Sequence, residues 1–561
     1  MKNLNLKLIG SYNKCFEHNK TSDFTEITSG SVLLDDFFAF EACISSDKAC
    51  KVYVNVKSVI SEYISVRLVK SVPVEHPVYP ENTDHDGYLN DKKPGLYPDL
   101  LVPVCGKCGI DIEADKLTSL WIQADIPACA KGGIYSIDVE ISDGEKVLDT
   151  KALSLEIIPA VLPEQKLINT QWFHCDCLAT YYGVEMMSDR HWEIIESFVR
   201  TAVKNGQNML LMPTFTPALD TAVGAERPTM QLVGVSVNPD STYSFDFALV
   251  DKWIAMCDRC GIKYYEIVHM FTQWGAEHAP KVMATVNGEY KKIFGWETDS
   301  MSDEYIAFIK SFLISFKAYM KSKGLLDRCM FHISDEPAPQ HLETYKKIHD
   351  VLDELLTDCE CGDALSSYSF YTTGAVKRPI VSTAHIEPFI ENNVPNLWAY
   401  YCCGEHTKVS NRFIANTMNH TRVIGMQLFK FNIKGFLHWG YNFYYSHLSK
   451  RPVDPYKCND GGPVEGTSQI WVPAGDPFCV YPAPDGTPYE SMHYKGFTQA
   501  LSDLRALDLA ASLTSKETVV KLLEDIAGME IRFAKFPENH DFSDKARTAV
   551  NELIKKNIQS K

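Results

Sequence analysis

Two adjacent carboxylates, Asp335 and Glu336, follow a short apolar run (Met330–Ile333) and precede a proline in the stretch RCMFHISDEPAP. Acids at the end of a strand stand where a barrel enzyme gathers its catalytic groups, and the strand behind holds them still. Pro337 cannot continue a strand ladder and biases Glu336 toward an extended conformation. Successive residues of a regular strand point to opposite faces. For both acids to serve one ligand, the backbone must leave strand geometry at Ser334–Glu336, and that departure is predicted. Paired carboxylates suggest glycoside hydrolysis, in which one acid protonates the leaving oxygen while another group supplies a nucleophile or activates water. Mutual repulsion disfavours joint ionisation and keeps one of the two protonated near neutral pH. Neighbours in sequence do not easily flank a sugar from opposite sides. They suit substrate-assisted hydrolysis better: the sugar's own 2-acetamido oxygen attacks C1 and forms an oxazoline, Asp335 orients the acetamido N–H, and Glu336 protonates the leaving group and then activates water. The bland alternative is a solvated Asp-Glu pair opening a helix after Pro337.

Other groups recur at strand ends. WFHCDCLATYY carries Trp172, His174 and Asp176; EIVHMFTQWG carries His269, Gln273 and Trp274; NLWAYYCC carries Trp398, Tyr400 and Tyr401; GFLHWGYNFYY carries Trp439, Asn442, Tyr444 and Tyr445. Aromatic faces with polar edges suit a sugar ring. His174, Asp176, His269, Trp274, Trp398, Tyr400, Tyr401, Trp439, Asn442 and Tyr444 are therefore expected to bind substrate.

The elements that position these groups follow from pattern. Residues 1–165 read as short β-branched and aromatic strands separated by turns, several with apolar/polar alternation, and predict an antiparallel β-sandwich. The long loop His76–Leu100 is expected to be an ordered excursion packed by its tyrosines. Strand and helix alternate over 166–474 and predict a (β/α)₈ barrel. Its strands are read at LINTQWF, NMLLM, IKYYEIV, CMFHIS, SSYSFY, PIVSTA, NLWAYYC and GFLHWGY, with a helical stretch at Asn411–Lys430 before the last. Residues 475–561 read as strand, then helices, then a polar tail, packed on the barrel. The fold class is multidomain α/β.

The chain has 561 residues with a net charge of −17. Without a basic face, that charge argues against nucleic acid. No apolar run is long enough to span a membrane, and the N-terminal residues lack a signal-peptide pattern. The 17 cysteines are irregularly spaced, which suggests reduced thiols in a cytoplasmic compartment. Cys105/Cys108 and Cys257/Cys260 are too far apart in sequence for one zinc ribbon. No metal and no cofactor is expected.

WFHCD, MPTFTP, HMFTQWG, FGW at Phe294–Trp296, HISDEP, NLWAYYC, NRF at Asn411–Phe413 and GFLHWGYNFY resemble glycoside hydrolase family 123. The resemblance covers most of the chain. It implies a sandwich plus (β/α)₈ barrel, exo-acting removal of β-linked N-acetylgalactosamine from a glycan, Asp335 as the acetamido-orienting residue and Glu336 as acid/base. Two rivals stand beside it. One is a retaining glycosidase with opposed carboxylates, in which Glu405 is the candidate nucleophile. The other is a carbohydrate-binding protein without turnover.

Overall fold

The computed structural model describes residues 4–80, 86–105 and 108–559. Its N-terminal part is a sandwich of two sheets around an aliphatic core that includes Leu8, Phe40, Ile122, Ile137, Val139, Leu153 and Leu155. Alternation along strands such as Asp36–Ser46 and Leu117–Ile126 puts every second side chain into that core. Pairing is antiparallel, except that Ser29–Leu34 runs parallel to Val147–Val161. The first sheet gains two strands from far along the chain. Pro488–Ser491 pairs with Gly95–Pro103, and Val480–Pro482 pairs with Pro488–Ser491. The sandwich and the later chain are thus joined by a continuous sheet.

Eight parallel strands close the barrel: β1 Ile168–Gln171, β2 Met209–Met212, β3 Tyr264–Ile267, β4 Cys329–Phe331, β5 Glu360–Leu365, β6 Arg378–Ser382, β7 Trp398–Tyr400 and β8 Gly435–His438. Pairing of β8 with β1 completes the ring. Helices Asp189–Lys204, Ala248–Cys260, Asp303–Ser322 and Leu342–Leu356 lie between strands, as their apolar periodicity predicts.

Three expectations need correction. The fifth strand is Glu360–Leu365, not SSYSFY; within the latter, Ser369–Thr372 is a helical turn seated by buried Phe370. The helical stretch begins at Met418 rather than Asn411, because Asn411 and Arg412 are extended and bond inward to Cys402, Glu405, Gln171 and Gly440. The polar tail is a helix, Phe542–Gln559, whose Phe542, Ala546, Val550 and Ile554 recur every fourth residue on a buried stripe.

The loop from His76 reaches the barrel. Tyr88 packs on His420 and Phe536, and the Tyr79 hydroxyl donates to the Trp471 carbonyl at 2.8 Å. Its last part is the strand Gly95–Pro103, and residues 81–85 lie outside the described residues. A second unanticipated element is a four-stranded sheet, Tyr243–Asp246, Gly234–Val237, Val282–Val286 and Glu289–Phe294, which ties the loop after β2 to the loop after β3. Among the described residues no helix is long and apolar enough to cross a membrane.

Trp398 shows how tightly the barrel is filled. It is 1% exposed, and a Cβ added at Gly435 on the neighbouring strand would overlap its ring. Overpacking of this kind destabilises by about 1–3 kcal/mol. Gly435→Ala is expected to lower the apparent melting temperature in scanning calorimetry; an unchanged value would mean that the indole swings aside freely.

Candidate active site

β4 ends at Phe331, and the chain leaves strand geometry before it reaches the acids. The Trp274 N–H donates to the Asp335 carbonyl at 3.0 Å, and the Glu336 N–H donates to the Ala364 carbonyl at 3.1 Å. Glu336 has φ +42°, in the left-handed region that a glutamate seldom enters. This is the predicted departure, and through it Asp335 and Glu336 line one cavity of about 130 Å³. The Tyr400 hydroxyl donates to Glu336 Oε1 at 2.7 Å, and Cys402 Sγ lies 4.0 Å from the same oxygen.

Burial is the main force on both carboxyls. It raises Asp335 well above the usual carboxylate range, with the charge of Glu336 adding to the rise and His332 opposing it. It raises Glu336 also, against the hydrogen bond from Tyr400. The pair therefore holds a proton that isolated carboxyls would have released.

Beneath the pair lies a charged layer with no solvent contact. His332 Nε2 is 2.7 Å from Glu266 Oε1, and its Nδ1 is 3.4 Å from Asp363 Oδ1. Burial disfavours the imidazolium, but these two carboxylates outweigh it and lift His332 to about 10. Glu266 also accepts from the Trp172 indole N–H at 2.8 Å and from the Thr170 hydroxyl. Asp363 accepts from the Ile333 N–H at 2.9 Å and from the Tyr345 hydroxyl. His269 stacks on His332 with centroids 4.5 Å apart and is held neutral by burial and by that neighbouring charge.

Of the ten side chains expected to bind substrate, four line the cavity with the acids: His174, Trp274, Tyr400 and Trp439. Trp274 stands at the rim, 45% exposed with φ +58°. His174 is neutral, driven down to about 3 by burial and by Arg227. The other six lie outside the cavity wall. Asp176 is bound in a buried ion pair with Arg227 at 2.6 Å. Asn442 clamps the backbone of His174 at both its N–H and its carbonyl. His269 belongs to the layer below. Trp398 and Tyr401 fill the barrel, Tyr401 against Phe436 and His438. Tyr444 is buried and donates to the Val480 carbonyl. Glu405 is buried too, accepts from the Cys402 N–H and the Ser382 hydroxyl, and is outside the lining.

Several wall residues gave no strand-end signal. Trp471 lies far beyond β8 and is placed by Tyr79 from the sandwich. Asp220 comes from the loop after β2, where the nearest aromatic, Phe215, is buried in the core and does not mark it. Cys402 and Cys403 read in sequence as ordinary thiols. Among the described residues no group of three His, Cys, Asp or Glu side chains is arranged to hold a metal.

The family model "Glycoside hydrolase 123, catalytic domain" matches residues 172–510, more than half of the chain. A family 123 glycoside hydrolase from Clostridium perfringens has the same fold, with a TM-score of 0.74 at 16% identity over 100% of this chain and 99% of that one. Weaker similarity links the chain to a family 39 glycoside hydrolase from Bacteroides cellulosilyticus WH2 (TM-score 0.34, 9% identity, 88% and 83% of the two chains). It also links it to a family 5 mannosidase from Rhizomucor miehei (TM-score 0.32, 12% identity, 61% and 93%). No curated protein matches the sequence. With the matched segment covering barrel strands β2 to β8, and with them Asp335 and Glu336, the chain belongs to glycoside hydrolase family 123.

Proposed function

We propose that this family 123 glycoside hydrolase is exo-acting and retaining, and removes a terminal β-linked 2-acetamido sugar, N-acetylgalactosamine first among them, through an oxazoline. The observation that carries the proposal is the turn at Glu336, which brings two consecutive carboxylates into the lining of one cavity. Opposed acids would instead stand across the sugar from one another. Glu405, the candidate for that arrangement, is committed to Ser382 and the Cys402 backbone. The Clostridium perfringens protein acts in glycolipid glycan hydrolysis, and a glycan end is the substrate class we propose here. Free thiols throughout the described chain suit a reducing compartment.

The free enzyme holds one proton in a buried pair that resists double ionisation. Tyr400 donates to Glu336 and so favours ionisation there, which leaves the proton on Asp335. A bound acetamido N–H reverses the preference. It donates to Asp335, stabilises that carboxylate, and moves the proton to Glu336. The acetamido oxygen then attacks C1 while Glu336 protonates the departing glycosidic oxygen. Ionised Asp335 balances the positive charge of the forming oxazoline. Glu336 next takes a proton from water, which opens the ring at C1 and regenerates the sugar amide. Trp172, Trp274, Trp439 and Trp471 offer the apolar surface against which a sugar ring packs.

Glu336→Gln is expected to lose about 10²–10⁴-fold on aryl glycosides with poor leaving groups, and much less on activated ones. Steady-state kinetics across a leaving-group series reads this, and a uniform loss would remove Glu336 from the proton-donor role. A thiazoline mimic of the oxazoline is expected to inhibit the wild type competitively, and Asp335→Asn to abolish both that inhibition and turnover of 2-acetamido sugars. Wild-type turnover by Asp335→Asn defeats the orienting role. Tyr400→Phe removes a hydrogen bond that favours ionised Glu336, so the Glu336 pKa rises. Hydrogen bonds to charged groups contribute about 1.5–3 kcal/mol, equivalent to about one to two pH units. The alkaline limb of kcat, which reports the substrate complex in which Glu336 carries the proton, is therefore expected to move to higher pH by about one unit; a shift to lower pH contradicts the assignment.

A further inference from the structure

Two polar side chains in the cavity wall take no part in the chemistry above. Asp220 and Gln273 come from the loops after β2 and β3, and both face the cavity that holds Asp335 and Glu336. The Asp220 backbone N–H donates to Gln273 Oε1 at 2.6 Å. That bond fixes the sense of the amide, with its oxygen toward the backbone and its Nε2 turned away. Gln273 Nε2 and Asp220 Oδ2 are both buried and have no hydrogen-bond partner in the protein. Gln273 is only 7% exposed. A buried polar group left without a partner is destabilising, so two in the wall of one cavity call for an explanation.

The backbone here is held at a further cost. Asp220 has φ +44°, and Leu448 and Ser449, which meet it from the loop after β8, both have φ +55°. The Ala222 N–H donates to the Leu448 carbonyl at 3.2 Å and the Ser449 hydroxyl to the Asp220 carbonyl at 2.6 Å. Each such residue is strained and persists where its surroundings over-determine it, most often at a ligand site. Burial raises the Asp220 carboxyl to about 7 against the charge of Arg227 and backbone hydrogen bonds from Leu448 and Ser449; Oδ2 is the oxygen left without a partner.

We propose that Asp220 and Gln273 form a hydroxyl-reading subsite, in which the carboxylate oxygen and the amide N–H take the neighbouring C3 and C4 hydroxyls of the terminal sugar. The assignment to the terminal sugar rests on the glycosidase reading above. A hydroxyl both donates and accepts, and a fixed acceptor beside a fixed donor complements two adjacent hydroxyls. C1 and the C2 substituent are committed to the acid pair. The C6 hydroxyl swings about an exocyclic bond. The rigid diol that remains on the ring is C3–C4, and its geometry distinguishes galacto from gluco sugars. Sites that hydrogen-bond a buried hydroxyl discriminate steeply against analogues that lack it, because their own polar groups are then left unpaired.

The test begins with a panel of aryl β-glycosides with and without the 2-acetamido group, and the best substrate becomes the parent. Its 3-deoxy and 4-deoxy analogues are then compared on the wild type, Asp220→Asn and Gln273→Glu. Asn tolerates left-handed φ, and Glu retains an acceptor for the Asp220 N–H, so both substitutions suit the local backbone; melting temperatures check this. The wild type is expected to lose at least about 100-fold in kcat/KM on one deoxy analogue. The variants are expected to lose a similar factor on the parent and little more on that analogue. Wild-type kcat/KM of both variants on the parent, or an undiminished deoxy penalty in both, overturns the proposal. A parent without the acetamido group defeats the oxazoline mechanism but still reads the subsite. If nothing is turned over, calorimetric binding of free hexoses and 2-acetamido hexoses decides it: affinity lost in Asp220→Asn supports the subsite, and no binding or equal affinity overturns it.

Discussion

Two consecutive side chains of an extended strand point apart, and the site depends on a backbone turn that prevents this. The turn is the left-handed conformation of Glu336, which costs about 1–3 kcal/mol on its own. Neighbouring strands hold it. Its N–H is bound by the Ala364 carbonyl at the end of β5, and the preceding carbonyl is bound by the Trp274 N–H from the loop after β3. Pro337 then prevents the ladder from resuming. Flanking strands thus fix the positions of both acids, which is what chemistry sensitive to small displacements demands.

The second constraint is charge. Asp335, Glu336, Glu266 and Asp363 all lie in one buried region. Removing one partner from such a cluster leaves an uncompensated buried charge. The cation among them is His332, on the same strand end as the acids and stacked on a neutral His269. It offsets part of the field that Glu266 and Asp363 impose on Asp335. The two carboxylates that charge His332 also anchor Trp172, Tyr345 and the Ile333 backbone. One ionic layer therefore tunes the Asp335–Glu336 pair and locks the three strands β3, β4 and β5 beneath it.

The same layer explains what could and could not be read from the sequence. The barrel was legible because its helices are amphipathic and most of its strands are apolar runs. The placing of two acids in one cavity was legible because an apolar strand is followed by Asp-Glu-Pro. β5 was not, because ECGDAL contains a buried aspartate and a glycine, both poor strand formers. Asp363 is there to hold His332, so a demand of the site overrode local propensity and SSYSFY looked the better strand. The aromatic stripe was legible only as an excess of rings after strands. Which of them meet the cavity depends on rotations that tertiary packing sets: Tyr400 bonds Glu336, while Tyr401, one residue on, faces Phe436 and His438.

The rest of the cavity wall is built on a different principle. Trp471 is placed by Tyr79 of a sandwich loop, and the neighbouring Ala474 N–H binds the His76 carbonyl at 2.9 Å. Asp220 and Gln273 sit on loops clasped by the four-stranded sheet outside the barrel. None of these supports is near its client in sequence, so no local pattern announces them. The acid pair follows directly on β4 and is held by β5 and the loop after β3, where a change would disturb the ionic layer. The recognition wall stands on long loops braced from outside, where residues can change without touching that layer. Such a division lets one acid pair be kept while the wall around it is altered, in the segments where sequence reasoning is weakest.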